Sequence, residues 1–111
     1  MSQLSRDRLR GTLELLILRT LAWGHRHGYA IARWLEESTN AQLRVEEGSL
    51  YPALHRIERR GLIASDWEMS ELGRPAKFYS LTSAGRTQLK QESVEWLACA
   101  RAVTLVREPA T

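Results

Sequence analysis

Residues 47–63 read Glu-Gly-Ser-Leu-Tyr-Pro-Ala-Leu-His-Arg-Ile-Glu-Arg-Arg-Gly-Leu-Ile, and one side of that stretch carries groups suited to a polyanion. Stepping about 100° per residue from Leu50, the positions Leu54, Ile57 and Gly61 fall within about 40° of it, which makes an apolar stripe for a core. Ser49, Pro52, His55, Arg56, Arg59 and Arg60 project from the other side. Small and polar side chains near the helix start suit base edges, and guanidinium groups towards its end suit phosphates. An ordinary solvated helix surface has the same composition, so the pattern gains meaning only from its surroundings. Ser49 reads as the N-cap, Pro52 falls in the first turn where its missing N–H costs no hydrogen bond, and Gly61 ends the helix.

The elements that must position this helix are legible on both sides. Residues 1–8 are polar, include Arg6 and Arg8, and read as a flexible arm. Over residues 9–23, Leu9, Leu13, Leu16, Ile17 and Leu21 follow helical spacing, while Leu15, Leu18 and Ala22 form a second apolar face. A helix apolar nearly all round is buried on several sides, so one side is expected in its own core and the other against a partner subunit, with Leu13 at that contact. Residues 24–28, Gly-His-Arg-His-Gly, break the helix, and Tyr29, Ile31, Ala32 and Leu35 start a second one that runs to about residue 38. His25 and His27 have no acid, Cys or further His at ligand spacing, and His55 sits on a different helix, so no metal site is expected. Residues 39–48 form a polar turn with a short extended piece around 43–45. Two helices with a short connection make a helix-turn-helix, whose second helix is the groove reader.

After Gly61 the period falls from 3.6 towards 2. Residues 62–68 and 76–81 carry the strand formers Ile63, Trp67, Phe78 and Tyr79, and turn-rich residues 69–75 lie between them, which predicts a hairpin. Helix, helix, helix, hairpin is the order of a winged helix, the hairpin being the wing beside the reading helix. Thr82 can cap a last helix from Ser83 to about residue 106, before Pro109. Leu89, Trp96 and Val103 recur on it at seven-residue intervals, a seam of only two heptads that is too short to stand alone. With the small core already covered, a second copy of the chain is the expected partner. Cys99 beside the seam reads as a small filler.

At 111 residues and 12.7 kDa the chain is sized for a single modest core. A net charge of +3 and a pI near 9.5 are compatible with nucleic acid, although 13 acidic residues dilute the surplus. One cysteine excludes an internal disulfide and a Cys-rich zinc site and fits a reducing compartment. No apolar run approaches the ~20 residues of a membrane span. A cytoplasmic protein without cofactor is expected. No Gly-rich phosphate loop, paired carboxylates or nucleophile beside a base appears, so an enzyme is not expected.

Four motifs occur in order: Gly-Thr-Leu-Glu-Leu-Leu-Ile-Leu from Gly11, His-Gly-Tyr-Ala-Ile from His27, the 47–63 stretch, and Gly-Arg-Pro-Ala-Lys-Phe-Tyr-Ser-Leu-Thr from Gly73. With them the chain resembles the PadR family of bacterial transcriptional regulators from about Gly11 onwards. The resemblance implies a winged helix-turn-helix homodimer that represses transcription on an inverted repeat in promoter DNA and lets go on a small-molecule or other cue. By position it puts the reading helix on residues 49–60, a prominent aromatic on Tyr51, and wing contacts on Gly73, Arg74 and Lys77. Two departures stand out. Glu68 and Glu71 offset Arg74 and Lys77, and Ala76 replaces a frequent second basic residue. A single C-terminal helix resembles the short branch of the family, without a separate ligand-binding domain.

The expected fold is therefore mainly α with a small β-hairpin: an arm over 1–8, a winged helix-turn-helix over 9–81, a long C-terminal dimerisation helix over 82–107 and a tail over 108–111. Double-stranded promoter DNA is the expected partner, met by Ser49, Tyr51, Pro52, His55, Arg56, Arg59, Gly73, Arg74 and Lys77. The homodimer interface is expected at Leu13, Leu89, Trp96, Leu97, Ala100 and Val103. Trp96 and Ala100 have two readings: a pocket for a small planar effector between two copies, as in some members of the resembled family, or an interface that Trp96 simply fills. The competing reading, favoured by the near-neutral wing, is a winged helix used only for protein contacts, without DNA binding.

Overall fold

The leucine-rich first helix lies at the centre of a computed structural model that describes residues 6–107 and 109, with side chains from Thr12 onwards. In chain order the elements are α1 (Arg6–Leu21), β1 (Arg26–His27), α2 (Gly28–Ser38), α3 (Glu47–Arg59), β2 (Ile63–Met69), β3 (Pro75–Leu81) and α4 (Ser83–Leu105). Of the arm expected over 1–8, residues 1–5 lie outside the described residues and 6–8 already belong to α1. Of the tail over 108–111, only residue 109 is described.

Leu13, Ile17, Leu18 and Leu21 of α1 meet Ile31 and Leu35 of α2, and Leu50, Ala53, Leu54 and Ile57 of α3, in one apolar core. Tyr79, Ile63 and Leu62 close it from the sheet side. Thr20 is buried among them and satisfies its hydroxyl by donating to the Leu16 carbonyl at 2.8 Å. A buried donor left unpaired would cost far more than this bond gains.

The hairpin is joined by a strand that the sequence did not announce. Two-residue β1 pairs antiparallel with β3, giving the order β1-β3-β2, with Arg26 opposite Tyr79 and His27 opposite Phe78. Such a strand has no period to read, and its Gly-flanked sequence signals only a break. The extended piece expected around 43–45 has no regular structure, but Leu43 turns into the core and its N–H is held by Thr39 Oγ1 at 3.1 Å.

Candidate nucleic-acid interface

Local signals set the first helix of the pair. His27 is the N-cap of α2, its Nδ1 accepting from the Ala30 N–H at 3.2 Å, and its ring stands edge-on to Phe78. His25 instead lies 3.3 Å from Glu68 Oε1. The two histidines thus have structural partners, and no group of three or more potential metal ligands occurs among the described residues. Arg26 folds back under α1, its Nη1 donating to the Thr20 and Gly24 carbonyls, with the guanidinium 5.2 Å from the centre of the Trp34 ring.

The α3 helix starts earlier than its sequence suggests. Glu46 holds the N-cap position without its side chain capping the helix, Glu47 is the first helical residue, and Ser49 lies inside the first turn. The expectation of Ser49 as N-cap is thereby corrected, and Pro52 falls in the second turn, where it deprives the Gly48 carbonyl of its donor four residues on. The loss lies on the exposed side, where water can replace it. At the other end Leu62 N–H bonds to the Ile57 carbonyl at 3.0 Å and Gly61 N–H to the Glu58 carbonyl at 2.9 Å. This Schellman closure requires the left-handed φ of 76° at Gly61.

Pro52, His55 and Arg59 occupy the open face of α3, and Arg59 makes no ion pair among the described residues. The other arginines are engaged. Arg56 Nε donates to Glu14 Oε2 at 3.1 Å, and Arg60 Nη1 donates to Glu14 Oε1 at 3.1 Å. Half-buried Ser49 lies two turns ahead of Arg56 on the same flank. Tyr51 sits on the opposite flank, its ring against Gly28: a Cβ there would come within 2.8 Å of Cε1 and 2.9 Å of the hydroxyl. The motif at His27 and the motif at Glu47 are therefore one contact, which sequence spacing could not reveal.

The wing reaches α3 through Glu58. Ser65 Oγ donates to one Glu58 oxygen, and Lys77 Nζ lies 3.8 Å from the other. The register Trp67 opposite Lys77 and Ser65 opposite Tyr79 puts these residues on the sheet face turned towards α3. Burial holds the Tyr79 hydroxyl above the usual phenol range, with Glu58 and then Tyr51 adding to the shift. At the tip the Ser70 N–H bonds to the Arg74 carbonyl at 2.8 Å, and Gly73 takes a φ of 75°, leaving Arg74 exposed. The expected internal cancellation of wing charge is modified: Glu68 is directed to His25, and Lys77 to Glu58.

The residues assigned to a second subunit divide in two. Leu13 is 3% exposed and belongs to the chain's own core, so the expectation that places it at an interface is corrected. Leu89 packs on that core as well, and the rest of the seam lies outside it among the described residues. Trp96 is 49% exposed, and Leu97 and Val103 are exposed with it. Ala100 is partly covered. A shallow groove of about 450 Å³ between α1 and α4, lined by Arg19, Ala22, Trp23, Leu89 and Ser93, continues the line of these residues. No helix among the described residues is long and apolar enough to cross a membrane.

Missed by the sequence reading were Glu14 and Glu58, the carboxylates that organise the cationic surface. Their signal was present only as acids on partly apolar helices. The pairings are 42 and 46 residues apart for Glu14, beyond any local pattern.

Comparison with known proteins agrees with this geometry. Residues 17–91 match the PadR-like transcriptional regulator family. A transcriptional regulator of Mycobacterium tuberculosis, Rv3488, is 36% identical over 88 residues, covering 78% of this chain and 78% of that protein. A PadR-like transcriptional regulator from Bacillus cereus superposes with a TM-score of 0.78 at 31% identity, covering 92% of this chain and 99% of the other. A transcriptional regulator from Clostridium thermocellum gives 0.83 at 27% identity over the same shares of the two chains. With three helices, a wing and a projecting last helix in the same order, and with sequence identity over most of its length, the chain belongs to the PadR-like family of transcriptional regulators.

Proposed function

We infer that the protein is a homodimeric repressor that reads an inverted repeat in promoter DNA. One observation carries the reading: Glu58 ties Lys77 of the wing to the flank of α3, so the open helix face and the wing form one continuous surface. Pro52, His55 and Tyr51 would approach base edges there, with Ser49 at the margin. Arg59, Arg74 and Lys77, and Arg56 once released from Glu14, would meet phosphates, with Gly73 letting the wing backbone come close. Two such surfaces related by a dyad address half-sites about one helical turn apart. The dyad runs along α4 from Trp96 through Ala100 to Val103, and Leu97 flanks it. A flat aromatic effector entering between the two Trp96 rings beside Ala100 would alter the spacing of the subunits and release DNA. The site of action is the cytoplasm, where promoter DNA lies.

Fluorescence anisotropy with the DNA upstream of the protein's own gene tests the reading between 50 and 200 mM salt. Affinity should fall steeply as salt rises, and Arg74→Ala should lower the log–log slope by about one unit. Binding that is absent, or indifferent to salt, refutes it. A second reading has its own support. Trp67, Met69 and Leu72 are exposed on the wing, an apolar set better suited to a protein partner than to phosphate. In that case the parent itself would show no salt-dependent DNA binding for Arg74→Ala to weaken.

A further inference from the structure

Of the cations on and beside α3, two are already neutralised within the chain. Glu14 stands on α1, a helix whose other side is core, and each of its carboxylate oxygens takes one guanidinium: Oε2 from Arg56 and Oε1 from Arg60, both at 3.1 Å. The Glu14 side chain is 29% exposed and the two arginines are about half exposed. The cluster therefore faces solvent on the arginine side and is backed by protein on the carboxylate side. Arg59 on the same helix has no such partner among the described residues.

A carboxylate and a phosphate offer a guanidinium the same thing, a pair of anionic oxygens at hydrogen-bond distance. Resting on the DNA-binding reading above, we propose that Glu14 is a built-in competitor for the phosphate backbone, a residue that holds down the protein's affinity for DNA of any sequence and the salt dependence of that binding. With Glu14 in place Arg56 and Arg60 contribute little to counterion release, because they must exchange one anion for another. Glu14 also stands close enough to repel an approaching phosphate. Contacts to base edges made by the open face of α3 are untouched, so a larger share of the binding that remains depends on sequence, while affinity falls alike for every sequence.

The sign of one substitution separates this from a plain structural brace. Glu14→Gln keeps the size and a hydrogen-bond acceptor but removes the charge. It should tighten binding to random-sequence duplex and steepen the salt dependence by up to ~2 units of log–log slope, about 0.9 per released guanidinium. Between 50 and 200 mM salt that is roughly a further tenfold loss of affinity on top of the parent's own. Adding Arg56→Gln and Arg60→Gln to that variant should return the slope to the parent value. In the parent background those two substitutions should flatten the slope less than Arg59→Gln does, a comparison that stands even should Glu14→Gln fold poorly. A Glu14→Gln protein that binds more weakly, or with unchanged slope, while the parent binds DNA with ordinary salt dependence, overturns the proposal and leaves the DNA reading standing. A parent that shows no salt-dependent binding removes that reading and takes the proposal with it.

Discussion

Gly85 is the third residue of α4, and the structure leaves no room for a methyl group there. A Cβ would come within 1.9 Å of the Leu62 carbonyl oxygen and 3.0 Å of its carbon. Backbone cannot rotate aside as a side-chain tip can, so Gly85→Ala forces α4 away from the α3–β2 joint by more than an ångström. The bonds at that joint are short. Thr82 Oγ1 accepts from Gly85 N–H at 3.0 Å and donates to the Gly61 carbonyl at 2.7 Å, and Thr82 N–H donates to the Leu62 carbonyl at 3.1 Å. Overpacking costs ~1–3 kcal/mol and losing the cap ~1 kcal/mol. Better helix propensity returns up to ~1 kcal/mol, leaving a net loss of about 1–3 kcal/mol. At roughly 4–8 °C per kcal/mol for a domain of this size, the melting temperature should fall by about 5–20 °C. Circular dichroism melts at matched protein concentration measure it, since association would otherwise shift the midpoint. A variant melting at or above the parent would refute the reasoning, because propensity alone predicts that rise.

Gly28→Ala meets a side chain rather than backbone, so the Tyr51 ring should swing away at a cost of no more than ~1–2 kcal/mol; melting should drop slightly while operator affinity falls more than affinity for random DNA. Truncation after Ser93 keeps Leu89 on the core and removes the chain from Val94 onwards, Trp96 included, and sedimentation should find a folded monomer. A folded dimer from that truncation would move the interface elsewhere. Absorbance at 295 nm should resolve one tyrosine titrating above the usual ~10, absent from Tyr79→Phe. Because the folded-state value is raised, Tyr79 contributes stability that is intact below ~10 and lost as pH rises through the folded value; parent minus Tyr79→Phe melts should show that slope only in the alkaline range.

Much of the fold was legible because its boundaries carry local chemistry. Gly61 ends α3 with a left-handed φ, Thr82 caps α4, and the change of period after Gly61 marks the hairpin. Where a boundary lacks a capping side chain, the reading slipped: Ser49 looks like an N-cap, yet the helix begins at Glu47 behind an uncapped Glu46. A solvent-facing arginine and one clasped by a distant carboxylate look alike in sequence, so Arg56 and Arg59 were grouped although only Arg56 is held by Glu14. The same holds for Leu13 and Leu89, whose heptad and helical spacing marks an apolar stripe but not whether the chain's own core already covers it. Tyr51 and Gly28 needed three dimensions to be seen as one contact.

The joint at Gly85 also gives α4 the geometry of a lever with its fulcrum at the end of α3. The helix runs for 23 residues, and the molecule measures 58 Å along its longest axis against 30 and 21 Å across. From Gly85 to the far end is about 30 Å at 1.5 Å per residue, so a pivot of about 5° carries the tip ~3 Å. The fulcrum is backbone against backbone, and Thr82 ties it to the Gly61 carbonyl at the end of α3. Were α4 to turn as a rigid rod about this joint, a displacement near Val103 would reach the Gly61 carbonyl as a much smaller shift.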